Sequence, residues 1–290
     1  MLNINQKILM SDAKSFDNTQ QINPYYHQES INRDQAIAEH NNIRDLLVSA
    51  GVDVVSVTSP SGCQDGVYTA NWALVRGDTA VMSNLPNARQ GEQNHAEKIL
   101  SDMGKTIAHV PEGLKFSGQG DALACGDLLF CGCGYRSDEA AQKFAADTLG
   151  YARIQLQTNP ELDESGNPMT NQASGWPDSF FYDIDLALAV IKAPTGGQKG
   201  LIAYCPEAFT PASRDFLAAF DMVDKIEVSV DEAQHGFATN LISTGETVIM
   251  SAHAPKLANE LRNHGLNVLT PEIAELAKGG GYIRCITLSI

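Results

Sequence analysis

No stretch of this sequence reaches about 18 consecutive apolar residues, the length that a membrane-spanning helix needs. The opening Met1-Leu2-Asn3-Ile4-Asn5-Gln6-Lys7 lacks the apolar centre of a secretory leader. A membrane is therefore not expected as a partner, and the expected location is the cytoplasm. Basic residues are scarce: 20 Lys and Arg stand against 35 Asp and Glu, a formal net charge of −15. Without a basic excess to displace counterions, nucleic acid is not an expected partner either, whereas a cationic small molecule suits the charge balance. Cysteines at 63, 125, 131, 133, 205 and 285 are too sparse for a disulfide framework and are expected as free thiols. The histidines show no metal-ligand spacing, and Cys131-Gly132-Cys133 is one residue short of a common zinc knuckle. There is no phosphate-binding loop, and Gly118-Gln119-Gly120 lacks the later glycine and the flanking strand and helix of a dinucleotide site. Neither a metal nor an organic cofactor is expected.

What the sequence does contain is a repeat. Two short strands joined by a tight turn, then a helix, then a third strand recur five times along 1–290, with no linker to divide them, so a single domain is expected. The hairpins read at 71–83 (turn Gly77-Asp78), 121–132 (Gly126-Asp127), 185–204 (Gly196-Gly197) and 240–251 (Gly245-Glu246). Helical spacing covers 34–50, 91–103, a stretch capped by Ser137, a stretch opened by Thr210-Pro211, and 255–264. Strands follow at 52–57 (read as buried), 106–110, 152–157, 225–230 and 266–270, and a short helix at 271–278. Residues 159–178, rich in Asn, Asp, Gly, Pro and Ser, read as a surface loop or lid. The first unit lacks a hairpin partner and the last strand, 283–290, lacks a helix. Pairing of this tail with residues 7–11 would repair both and close a ring with no free edge.

Several residues in this frame could carry chemistry. Gly279-Gly280-Gly281 precedes Arg284-Cys285, which places a thiol at the mouth of a strand with a cation that could favour its thiolate; a buried, inert core cysteine fits as well. Asp121 follows Gly118-Gln119-Gly120 at a strand start, as a cation holder or a plain turn aspartate. Asp183 and Asp185 open an apolar strand whose two-residue period would put both carboxylates on one face, either to share a cation or as a polar strand start. Asn23, Asp65, Asn71, Arg136 and Asn240 are ordinary turn residues singly, but they fall at equivalent ends of successive units.

In combination, Asn23-Pro24, Asp65 with Tyr68-Thr69-Ala70-Asn71, Gly118-Gln119-Gly120-Asp121, Gly132 with Arg136, Asp183-Ile184-Asp185-Leu186, Asn240, and Gly281 with Arg284-Cys285 resemble the guanidino-group modifying superfamily over nearly the whole chain. The branch is that of dimethylarginine dimethylaminohydrolase, arginine deiminase and amidinotransferase. The resemblance implies the pentein fold, a five-bladed α/β propeller of ββαβ repeats. It implies a hydrolase in which a cysteine thiolate attacks a guanidinium or ureido carbon, an amine leaves, and water cleaves the S-alkyl intermediate. By position Cys285 matches the nucleophile, Asp121 and Asp185 match guanidinium-binding carboxylates, and Asn71 and Asn23 match pocket-lining residues. Asp65, Gln119, Arg136 and Asn240 join the expected substrate site. The resemblance also allows a homodimer. Two departures stand out: Asp183 replaces the usual histidine of a His-x-Asp motif, and Gln119 replaces the glutamate of Glu-Gly-Asp. Asp183 is the candidate to take over the histidine's acid–base role, with His235 as a second candidate. A ligand-binding relative without catalysis, or an amidinotransferase, are the alternative readings.

Overall fold

The repeat folds into five three-stranded sheets, each with one antiparallel and one parallel pairing. The computed structural model describes residues 4–20, 22, 25, 29–170 and 175–290. Blade one has β1 (Lys7–Ser11), α1 (Arg33–Ser49) and β2 (Asp53–Val57). Blade two has β3 (Ala73–Arg76), β4 (Thr79–Met82), α2 (Gln93–Asp102) and β5 (Thr106–His109). Blade three has β6 (Ala122–Cys125), β7 (Leu128–Cys131), α3 (Glu139–Leu149) and β8 (Ala152–Gln155). Blade four has β9 (Leu188–Lys192), β10 (Gly200–Tyr204), α4 (Pro211–Ala219) and β11 (Val223–Glu227). The short α5 (Val230–Gln234) leads to blade five, with β12 (Ile242–Ser243), β13 (Thr247–Ile249), α6 (Pro255–Asn263) and β14 (Asn267–Leu269). The tail ends in β15 (Leu288–Ser289).

In blades two to five the first two strands form a hairpin, and the third pairs parallel to the second after the helix, the crossover that parallel pairing requires. Blade one borrows its first strand from the far end of the sequence. β15 pairs antiparallel with β1, Ile8 opposite Ser289 and Leu9 opposite Leu288. Leu288 is fully buried among Leu9, Trp72 and Val75, and burying such a side chain is worth roughly 1.5–3 kcal/mol. Contacts between neighbours pass once round the ring: β15 against β3, α3 against β3, β6 against β9, β9 against β12, and α1 against β13. The first strand of each blade thus faces the hub, and the amphipathic helices, such as α6 with Leu257, Ala258 and Leu261 inward, lie outside.

Some expectations need correction. The tail pairs with β1, but the five sheets stay separate, so each keeps its own edges. β2 is an outer strand, half-exposed rather than buried. β11 stops at Glu227, because Val230 already begins α5, whose first turn Ser229 caps. Ser137 does not cap α3: Asp138 holds the cap position, and the Ser137 hydroxyl accepts the Ser117 amide N–H instead. The helix expected over 271–278 is a single 3-10 turn at Leu276–Gly279. Residues 283–286 are turn, and only Leu288–Ser289 is strand. All six cysteines are free.

Candidate active site

One rule of placement builds the site. The residues just before the first strand of each blade converge at one end of the hub: Asn71 before β3, Asp121 before β6, Asp183 and Asp185 before β9, Asn240 before β12, and Cys285 before β15. Single-turn 3-10 segments present them at Thr69–Asn71, Gly118–Gly120 and Ile184–Leu186. Asp183 and Asp185 therefore meet through a tight turn and not through the strand period expected for them. All six side chains are buried.

Cys285 sits at the centre. Asn240 Nδ2 donates to its Sγ at 3.2 Å, and the thiol donates to Asp185 Oδ2 at 3.6 Å. Asn240 Oδ1 accepts the Arg284 and Cys285 amides at 3.0 and 3.2 Å, which fixes the turn that carries the thiol. Close approach demands glycine at 281, where a Cβ would stand 2.6 Å from the Tyr68 ring and 3.1 Å from Cys285 Cβ. At Gly120 a Cβ would collide with Asn71 Nδ2 and Asp183 Oδ2.

The carboxylates are crowded and dry. Asp121 Oδ1 accepts the Ile184 amide at 3.0 Å. Asp183 Oδ2 accepts Asn71 Nδ2 at 2.9 Å, and Arg136 Nη1 lies 3.8 Å away, its guanidinium stacked 3.8 Å above the Tyr182 ring. Asp183 Oδ1 and Asp185 Oδ1 are buried without a hydrogen-bond partner among the described residues. Burial pushes the Asp185 carboxyl up to about 8; repulsion from Asp183 adds to this, and Arg284 opposes it. Burial, then Asp183, holds Asp121 well above the usual carboxylate range. Burial, then Asp185, does the same to the Cys285 thiol. Buried carboxylates this close favour a shared cation between them, which would return them to the charged form.

Other expected residues stand elsewhere. Gln119 turns away from the thiol: its Oε1 accepts Arg284 Nη2 at 2.9 Å and its Nε2 donates to the Ser289 carbonyl at 2.7 Å. Arg284 accompanies it, with Nη1 on the Thr287 carbonyl at 2.6 Å, and its charge acts on both Asp185 and the Cys285 thiol. Asp65 is buried 3.9 Å from Arg89 Nε, behind Asn71. His235 is exposed and bonded to Asp231 at 3.1 Å, away from the hub. Asn23 lies outside the described residues.

Sequence reasoning missed the support beneath Asn71. Arg89 Nη1 donates to Asn71 Oδ1 at 2.9 Å, and the same guanidinium forks onto Glu92 at 2.8 and 2.7 Å, all buried. Trp72 Nε1 donates to the same Glu92 at 3.1 Å. The signal available was the Arg-x-x-Glu spacing of 89 and 92, which places the two side chains on one helical face. Ser117 was missed too; its carbonyl and hydroxyl accept Asn71 Nδ2 at 3.1 and 2.9 Å.

A ring of five ββαβ blades with buried acids and a thiol at the hub defines the pentein class. Residues 6–170 match the family described as N,N dimethylarginine dimethylhydrolase, eukaryotic. The N(G),N(G)-dimethylarginine dimethylaminohydrolase of Mycobacterium tuberculosis is 32% identical over 260 residues, 88% of this chain and 75% of that one. The bifunctional arginine dihydrolase/ornithine cyclodeaminase AgrE of Nostoc is 28% identical over 292 residues, 98% of this chain but 38% of its own length. The chain belongs to the dimethylarginine dimethylaminohydrolase family. Among solved structures, the N-terminal domain of ArgZ, a cyanobacterial arginine dihydrolase, bound to product, superposes with a TM-score of 0.83 at 26% identity, covering 97% of this chain and 96% of that one. An asparagine-to-serine variant of that domain was captured covalently bound to a reaction intermediate, with a TM-score of 0.83 at 25% identity and coverage of 97% of this chain and 96% of that one.

Proposed function

We propose that this protein is a cysteine-dependent hydrolase of the C–N bond of a guanidino compound of the arginine or methylarginine class. The observation that carries this reading is the thiol of Cys285 within hydrogen-bond reach of Asp185 and Asn240, beside buried carboxylate oxygens of Asp183 and Asp185 that have no hydrogen-bond partner among the described residues. A planar guanidinium supplies N–H donors in the geometry those oxygens accept, and its charge favours the ionised form of Asp185. Asp121 and Asp185 hold the cation, while Asn240 orients the nucleophile. Asn71, anchored on Arg89, fixes Asp183.

In the reaction, the Cys285 thiol loses its proton as the Sγ–carbon bond forms, and the departing amine takes up a proton as its C–N bond breaks. Water then adds to the carbon, the S–C bond breaks, and the thiol regains its proton, leaving a ureido product. Asp183 occupies the place of the histidine in the family motif and is assigned the proton traffic. The dimethylarginine and arginine activities of the relatives support this substrate class. The test is release of ammonia or alkylamine from arginine, N-methylated arginines and agmatine, with a glycine-acceptor arm. Release without amidine transfer supports hydrolysis, transfer to the acceptor supports an amidinotransferase, and neither with ligand still bound leaves a binding protein.

A further inference from the structure

On the far side of the hub from the thiol lies a cavity of about 440 Å³. Its walls come from the first strands of the blades and carry Val75, Leu123, Leu188 and Leu241, in a lining about equally polar and apolar. Its mouth is exposed at Gln6, Lys7, Gly77 and Ala124, and its floor is the buried set Gln119, Thr239 and Arg284. No Asp or Glu side chain lines it, in a chain of net charge −15. Lys7 at the rim is paired with Asp53 at 3.4 Å. Arg284 is different. It is 8% exposed, its hydrogen bonds run to the Thr287 carbonyl and hydroxyl and to Gln119 Oε1, and among the described residues it has no carboxylate in ion-pair contact. Beside it the Thr239 hydroxyl is buried with no hydrogen-bond partner among the described residues.

A buried guanidinium whose hydrogen bonds among the described residues all go to neutral acceptors, and a buried hydroxyl with no partner among them, are both costly arrangements. One carboxylate meets both needs, since it accepts from a guanidinium fork and from a hydroxyl. The volume falls in the range of small-molecule pockets, roughly 300–1,000 Å³, and its apolar side chains and convergent polar groups are the two components such a pocket uses. A bare inorganic anion would leave those walls uncovered. We propose that this cavity is a second ligand site, which takes a small aliphatic monocarboxylate with its carboxylate on Arg284 and its chain against Val75, Leu188 and Leu241. Only one peptide unit separates Arg284 from Cys285, and Asn240 Oδ1 holds both amides, so an occupant would sit directly behind the thiol turn.

The test is titration calorimetry on the full chain with three probes: isovalerate, its uncharged twin isovaleramide, and sulfate. Expected are saturable one-to-one binding of isovalerate and a loss of about tenfold or more for the amide and for sulfate. Arg284→Gln and Ala124→Trp, the second filling the mouth without touching the floor, are each expected to weaken isovalerate by about tenfold or more. Should Arg284→Gln fail to fold, Ala124→Trp decides alone. Absence of saturable isovalerate binding, equal binding of the amide or of sulfate, or undiminished binding in Ala124→Trp would each overturn the proposal.

Discussion

The two ends of the hub are built from neighbouring residues and yet are chemical opposites. At one end Asp121, Asp183, Asp185, Asn240 and Cys285 crowd carboxylates and a thiol into a dry space. At the other, Gln119, Thr239 and Arg284, each within one or two residues of that first set, floor a cavity that no Asp or Glu lines among the described residues. The turns before the first strands of blades one, three and five make the division: the neighbours Arg284 and Cys285, and Thr239 and Asn240, serve opposite ends, as do Gln119 and Asp121 two residues apart. Charge in this protein is therefore sorted by position within a turn and not by segment. The sorting has an electrostatic consequence across the partition: Arg284, facing the cavity, opposes the upward push on Asp185, which faces the thiol.

That contrast can be broken at several points. Deleting 283–290 removes the thiol at one end, Arg284 at the other, and the strand that completes blade one. It is expected to abolish activity and to collapse the whole fold in a single transition, seen as loss of far-UV circular dichroism; fraying confined to one end would show that β15 is dispensable. Asp183→Asn touches the acidic end alone. Turnover should fall by about 10²–10⁴, the usual worth of acid–base assistance, with the thermal melt unchanged, and unaltered turnover would take Asp183 out of the mechanism. Leu188→Ala thins the cavity wall and is expected to cost about 2–5 kcal/mol in urea unfolding, as buried leucines do, an effect on stability with no change in the pH profile.

The smallest effect depends on pH. Asp185 is raised in the folded state to about 8 from its ordinary value of 3.8. Its folded form binds the proton more tightly than its unfolded form, so its contribution to stability is fully present below about pH 4 and is lost as pH rises through about 8. Asp185→Asn, which cannot ionise, should flatten this decline and leave the variant more stable than the parent at pH 8–9, by on the order of a few kcal/mol. A parallel decline in both proteins would mean that Asp185 does not titrate as described.

Most of the acidic end was legible in the sequence. Aspartates and a cysteine standing at the same point of successive repeats are informative because nothing in strand formation requires those residue types there, and Asp121, Asp185, Asn240 and Cys285 all converge as that repetition implies. The hairpins at Gly77-Asp78 and Gly126-Asp127 were equally readable, since two turn residues between apolar runs leave little freedom. The direction in which Gln119 and Arg284 point was not readable. A strand-period argument assigns faces only inside a strand, and both residues lie in turns, where one change of dihedral angle exchanges the two ends of the hub. The same uncertainty turned the expected strand at 183–185 into a 3-10 segment. Arg89 escaped because a buried Arg–Glu fork reads in sequence as a solvated helix pair. The cavity escaped because its walls, Val75, Leu123, Leu188 and Leu241, carry the same alternation as any packed core.

The most direct measurement is the intact mass of the protein quenched in acid during incubation with arginine and N-methylated arginines, followed by peptide mapping. The account predicts an added amidino-containing mass located on Cys285, which disappears in Cys285→Ser and builds up when hydrolysis is slowed in Asp183→Asn. Turnover of any of these compounds with no adduct on Cys285, or an adduct on another cysteine, would contradict it.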